Sequence, residues 1–183
     1  MKNNIFDNYN PQKTLYKALL DASNEHGKNY EVIEDIQRKP LKYRDIILQS
    51  IVLGNYIKRF TTESEHIGIM LPNVTALPIL FFALQFTGRV PAMLNFSSGA
   101  YAINRSCKTA KIKTIYTSRL FIDKAKLESV IKELQKNYSI CYLEDIKKKI
   151  KISTKLFSLI TQFFISKYYD RQHHNKDPEK TAI

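Results

Sequence analysis

Histidines, cysteines and paired carboxylates are the residues from which chemistry would start, and their spacing tests each set. His173 and His174 are adjacent, so on a helix or a strand they diverge, and Asp170 and Asp177 around them follow no recognised ligand spacing. They read as an exposed polar tail. His66, beside Glu65 at the opening of an apolar run, reads as a surface residue. Cys107 falls in a helical pattern and Cys141 in a strand pattern, and two cysteines make neither a disulfide framework nor a metal-ligand set. Glu34-Asp35 and Glu144-Asp145 are chain neighbours, whereas general acid–base work needs an opposed pair facing one pocket. Glu144-Asp145 instead suits the positive end of a helix. These sets supply no catalytic, cofactor-binding or metal-binding residue.

Phosphate-binding loops fail as well. The five glycines, Gly27, Gly54, Gly68, Gly88 and Gly99, are too far apart for G-x-G-x-x-G or G-x-x-x-x-G-K-[ST]. A G-x-S-x-G nucleophile elbow is absent, and Ser97-Ser98-Gly99 offers only a Ser-rich turn. Residues 95–99 do follow a strand pattern, where ligands gather in parallel sheets. The alternative for this stretch is an N-cap and turn before the next helix.

The elements that would position such residues are legible. From Thr14 the period is helical, with Leu15, Ala18, Leu19 and Ala22 on one stripe and Gly27 at the C-terminal cap. Residues 30–33 read as a short strand, and Pro40 closes the turn after it. A second helix over 43–60 carries the stripe Ile46, Ile47, Ser50, Ile51, Gly54 and Ile57. A βαβ rhythm follows. Strands are predicted at 66–71, 89–94, 114–117 and 139–143, and helices at 73–87, with Asn73 as N-cap, at 100–110 and at 119–137. Pro78 falls in the early turns of the first of these helices. Alternation of this length implies an α/β fold, a mostly parallel sheet flanked by helices. An amphipathic helix is predicted over about 144–169, its face made of Leu156, Phe157, Ile160, Phe163 and Phe164 and its start rich in Lys147, Lys148, Lys149 and Lys151.

Composition bounds the partners. The 183 residues suffice for one domain with a core, and 44% hydrophobic residues argue against disorder. No apolar run reaches the ~18–20 residues of a membrane span, and the Asn-rich start has no secretory signal. A cytoplasmic, reduced protein is expected. The net charge of +12 lies almost wholly in residues 96–183, with 18 basic and 8 acidic side chains. Lysine outnumbers arginine 22 to 7, which disfavours sequence-reading nucleic-acid binding. An anionic surface partner remains open beside a merely compositional lysine excess: the basic helix either lies on an anionic membrane, peripheral to the inner membrane, or packs on the chain's own sheet or on the rest of a larger protein.

One resemblance joins these elements. The stretch Ile67-Gly68-Ile69-Met70-Leu71-Pro72-Asn73, the helix ending at Gly88, and Arg89-Val90-Pro91-Ala92-Met93-Leu94-Asn95 resemble the N-terminal part of adenylate-forming (AMP-binding) enzymes. Within that superfamily the chain is most similar to the acyl-ACP synthetase portion of bifunctional 2-acylglycerophosphoethanolamine acyltransferases. That narrower likeness rests on residues 14–20, 91–96, 110–119 and 142–145. It implies an ATP-dependent ligase of fatty acid and acyl carrier protein, with magnesium, linked to lysophospholipid reacylation at the inner membrane. It also implies a polar tail at 1–11 and an incomplete, truncated N-terminal subdomain over 12–183, since the family's T-S-G-[ST]-x-G loop would follow a segment like 177–183. No family active-site residue maps onto this sequence, and no cofactor is expected for the chain alone. Two classes of function stay open. One is a piece of a split synthetase completed by a downstream polypeptide. The other is a non-enzymatic remnant or interaction module binding a protein or an anionic membrane through Lys147, Lys148 and Lys149.

Overall fold

A computed structural model describes residues 13–36 and 38–150, together with Ile165 and Tyr169. Helix α1 (Leu15–His26) begins where the Thr14 hydroxyl accepts from the Lys17 N–H at 3.2 Å, and it ends at Gly27 with φ 94°. Its buried face is Tyr16, Leu19, Leu20 and Ser23, which corrects the expected stripe, since Leu15 is 41% exposed. The cause is Tyr16. Its ring packs on Phe86 and its hydroxyl shares a 3.2 Å hydrogen bond with Ser50 Oγ, so the larger side chain takes the interior.

Strands β1 (Glu31–Ile33) and β2 (Leu41–Lys42) form a small antiparallel ribbon before helix α2 (Tyr43–Ile57). All six residues of the expected α2 stripe are buried. Gly54 is needed there, because a Cβ would lie 2.8 Å from the Ala83 carbonyl oxygen in the adjoining helix α3 (Ala76–Phe86).

Strands β3 (His66–Ile69), β4 (Val90–Met93), β5 (Thr114–Thr117) and β6 (Ser139–Tyr142) make one parallel sheet in the order β4-β3-β5-β6. Its two faces bury separate cores. Ile67, Ile69 and Tyr116 pack with residues of α2, α3 and helix α7 (Leu143–Lys149). On the other side Met70, Ile115 and Leu94 pack with residues of α4 (Gly99–Thr109), α5 (Arg119–Ala125) and α6 (Glu128–Leu134). The expected α/β architecture is therefore present. Because α3 leads from β3 outward to β4 and α4 leads back across the opposite face to β5, strand order reverses between β3 and β5.

Four expectations need correction. Asn73 does not cap α3; the helix starts at Ala76, where Asp35 satisfies the Thr75 N–H. Pro78 is then the third helical residue, whose N–H has no intrahelical acceptor, so its absence costs no hydrogen bond. The single helix expected over 119–137 is two, parted at Lys126, which adopts φ 53° and takes the left-handed cap without a glycine to announce it. The helix expected over 144–169 is not continuous, because α7 ends at Lys149 and Ile150 turns extended. Its expected apolar face, Leu156 to Phe164, lies outside the described residues, as do 1–11 and the histidines at 173 and 174. Ile165 and Tyr169, which the expected face leaves out, are both buried, and Tyr169 packs on Tyr16 at 5.0 Å between ring centroids.

Candidate functional site

Open α/β sheets bind ligands beyond the C-terminal ends of their strands, at the reversal of strand order. Here the strand ends at that reversal are hydrogen-bonded to each other. The Thr117 hydroxyl donates to the Met70 carbonyl at 2.7 Å, and the Met70 N–H donates to Tyr116 O at 2.9 Å, tying the ends of β3 and β5 together. Beside this tie lies a cleft of about 550 Å³, bordered by Asn73 and Val74 after β3, Met93 at the end of β4, and Glu34-Asp35. The start of α3 lines it. The Thr75 N–H and hydroxyl both donate to Asp35 Oδ2 at 3.0 Å, so a carboxylate of the chain occupies the place an anion would take. The cleft wall is otherwise mostly apolar: Ile33, Leu77, Pro78 and Phe81.

After β4, Asn95 Oδ1 accepts from the Ser97 N–H at 3.1 Å and from the Ser97 hydroxyl at 2.7 Å. This is a self-satisfied turn leading into α4, and the N-cap reading of residues 95–99 is the one the geometry supports.

A polar knot closes the far end of the sheet. Ser118 donates to Glu144 Oε1 at 2.7 Å, and the Leu120 N–H donates to the same oxygen at 3.3 Å. Arg119 pairs with Asp145 at 2.5 Å and lies over the Tyr142 ring at 3.9 Å. Burial works to raise the Glu144 carboxyl, but the Ser118 hydroxyl and nearby backbone N–H groups outweigh it and hold the group below its ordinary range. Hydrogen bonding to Arg119 likewise holds Asp145 low. Both are ionised at neutral pH and committed to structural partners. The knot joins α5 to α7. The sequence reading placed Glu144-Asp145 correctly at a helix start but missed Arg119, whose role only the adjacency of β5 and β6 reveals.

Among the described residues neither cysteine is a poised nucleophile. Burial pushes the Cys107 thiol up to about 11 and raises Cys141 and Tyr116 as well. His66, expected on the surface, is half-buried with Nδ1 2.6 Å from the Ala110 carbonyl. The cause is the close approach of β3 to the turn after α4. Among the described residues no group of three His, Cys, Asp or Glu could hold a metal ion, and no helix is long and apolar enough to cross a membrane.

No protein-family model matches the chain. Solved structures do resemble it. The structure of VinN superposes with a TM-score of 0.66 at 13% identity, covering 80% of this chain and 37% of that one. The N-terminal domain of FACL13 from Mycobacterium tuberculosis gives 0.64 at 11% identity, over 75% and 36%. An adenylation–PCP di-domain fusion, NpsA-ThdA from Klebsiella oxytoca, gives 0.61 at 14% identity, over 76% and 24%. The chain has the fold of the N-terminal domain of adenylate-forming enzymes, in part. It spans well under half the length of each of these structures.

Proposed function

We propose that this chain contributes the first sheet of an adenylate-forming ligase, of the fatty acid–acyl carrier protein type linked to lysophospholipid reacylation. The observation that supports it is the shared fold with adenylation domains over three quarters of the chain. The narrower substrate class rests on the sequence likeness at residues 14–20, 91–96, 110–119 and 142–145. In this reading the chain serves as scaffold. The phosphate-binding loop, the magnesium-binding carboxylate and the acyl carrier protein contact are supplied from outside these residues, because the spacing of the five glycines offers no such loop motif. The chain alone then binds neither ATP nor an acyl-adenylate.

The test is co-expression with the product of the adjoining reading frame, read by palmitate-dependent exchange of pyrophosphate into ATP. Exchange by the pair and none by the chain alone is the expected result. A pair without exchange, or saturable binding of magnesium-ATP by the chain alone tighter than ~1 mM, overturns the reading.

A second reading has its own observation. Lys147, Lys148 and Lys149 are exposed, and beside them Leu48, Val52, Ile79 and Ile150 line an apolar groove of about 500 Å³. Cations flanking an apolar trough suit an anionic membrane surface at the cytoplasmic leaflet.

A further inference from the structure

A parallel sheet of four strands has two edges, and their backbones are unequal. On β4 the N–H groups of Val90 and Leu94 donate inward, to Glu65 and Ile69 of the β3 side. Successive residues of a strand point their backbone groups to opposite sides, so Pro91 and Met93 face outward. Pro91 has no N–H to offer. That edge is blunted by its own sequence.

The edge at β6 is not. Ser139 donates inward to Lys113 O at 3.0 Å, so Ser139 and Cys141 face β5, while Ile140 and Tyr142 face away. Among the described residues no strand pairs with that outer side. The Ile140 N–H and carbonyl and the Tyr142 N–H are spaced as a strand ladder requires. A groove of about 370 Å³ lies over the face of β5 and β6 next to that edge, walled by Tyr56 of α2, by Phe60 after it, and by Asp145, Ile146 and Lys149 of α7. Phe60 is 66% exposed, its ring lying against Tyr56 at 5.2 Å and under the Arg59 guanidinium.

We infer that the outer edge of β6 is a docking site for an extended segment of another polypeptide, which adds a fifth strand with apolar side chains toward Tyr56 and Phe60 and acidic residues at its ends. Backbone pairing gives the affinity and the groove selects alternate side chains. Charge selects the occupant. Lys113 flanks one end of β6, and Lys147, Lys148 and Lys149 flank the other, all exposed. A second copy pairing antiparallel would set Lys113 of each against the lysines of the other, in a chain already at +12. An acidic-ended strand meets attraction at both. This surface does not depend on the ligase reading, since it rests on the open edge, the groove and the lysines beside it.

The experiment uses the full chain and a fluorescein-labelled peptide of alternating valine and threonine with aspartates at both ends. Saturable binding is expected, with slowed amide exchange at Ile140 and Tyr142 and no change at Ser139 and Cys141. N-methylation of the peptide's central residues, which removes its donors without touching the protein, is expected to weaken binding at least tenfold. Ile140→Pro removes the same outward N–H and is expected to weaken binding likewise; because Ile140 also packs on the core, its urea midpoint is measured beside that of Ile140→Val, which keeps the N–H and is expected to bind as the parent does. Peptide binding without protection of Ile140 and Tyr142 overturns the inference, as does equal affinity for a lysine-ended peptide. Protection that rises with chain concentration in the absence of peptide assigns the edge to a second copy and overturns it too.

Discussion

The carboxylate of Asp35 caps the helix that begins at Ala76, accepting through Oδ2 from both the N–H and the hydroxyl of Thr75 at 3.0 Å. It ties the segment after β1 to the start of α3, and it does so where the helix dipole is positive. Asp35→Ala removes the oxygen that accepts both bonds and leaves the Thr75 N–H without that acceptor. The expected loss is about 1 kcal/mol, the usual worth of a cap, read as a lower urea midpoint at unchanged m. Asp35→Asn keeps an acceptor oxygen and is expected to lose less. An Asp35→Ala midpoint equal to that of the parent chain would show that the cap is not stabilising.

Gly54 sets the approach of α2 to α3. A methyl group there meets the Ala83 carbonyl oxygen at 2.8 Å, and backbone cannot rotate aside as a side chain can. Two effects of Gly54→Ala oppose one another. Alanine gains about 1 kcal/mol of helix propensity, while forcing apart a packed helix pair costs typically 1–3 kcal/mol. Both α2 and α3 feed the core beneath the sheet, so the strain dominates and the variant is expected to unfold at lower urea. A stabilised Gly54→Ala chain would mean that α3 shifts freely on α2.

Stability below neutral pH is set partly by the knot between α5 and α7. Glu144 and Asp145 are both held below their ordinary ranges in the folded chain. A depressed folded value means that stability is full above the unfolded carboxylate value, about 4, and drains as pH falls through the folded one. Ser118→Ala removes the shortest hydrogen bond to Glu144 and is expected to flatten the loss of stability between neutral and acid pH. Urea midpoints of parent and variant across that interval check it. Parallel profiles would assign the acid sensitivity elsewhere.

How legible this was in the sequence depends on the range of each interaction. Periodicity found the strands of the sheet and the buried stripe of α2, because apolar spacing reports a face directly. It misplaced the stripe of α1, where Tyr16 outcompetes Leu15 for the core through partners on α2 and α3. Boundaries failed where a distant residue decides them. Asp35 moves the start of α3 from Asn73 to Ala76, and nothing near Asn73 carries that signal. Lys126 breaks a helix by adopting a left-handed backbone that glycine or asparagine would have advertised. The candidate site shows the same division. The lack of a phosphate loop is local and visible, whereas the tie from Thr117 to Met70 spans 47 residues and exists only once β3 and β5 are paired.

The exposed lysines of α7 give the membrane reading its test. Each Lys near an anionic surface contributes about 1 kcal/mol, and the attraction falls within a Debye length of about 8–10 Å. Association with vesicles is therefore expected to rise with anionic lipid content and to fall steeply with salt. Lys147→Gln, Lys148→Gln and Lys149→Gln together are expected to weaken it by one to two orders of magnitude, less than strict additivity because the three cations do not face the surface equally. The three side chains are exposed, so the substitutions leave the fold intact, and an unchanged urea midpoint verifies that. Co-sedimentation with vesicles of phosphatidylcholine and of phosphatidylglycerol separates the outcomes. Preference for phosphatidylglycerol that disappears in the triple variant supports a membrane face. Equal binding to both lipids, indifferent to the substitutions, rejects it and leaves these lysines as the solvated end of α7.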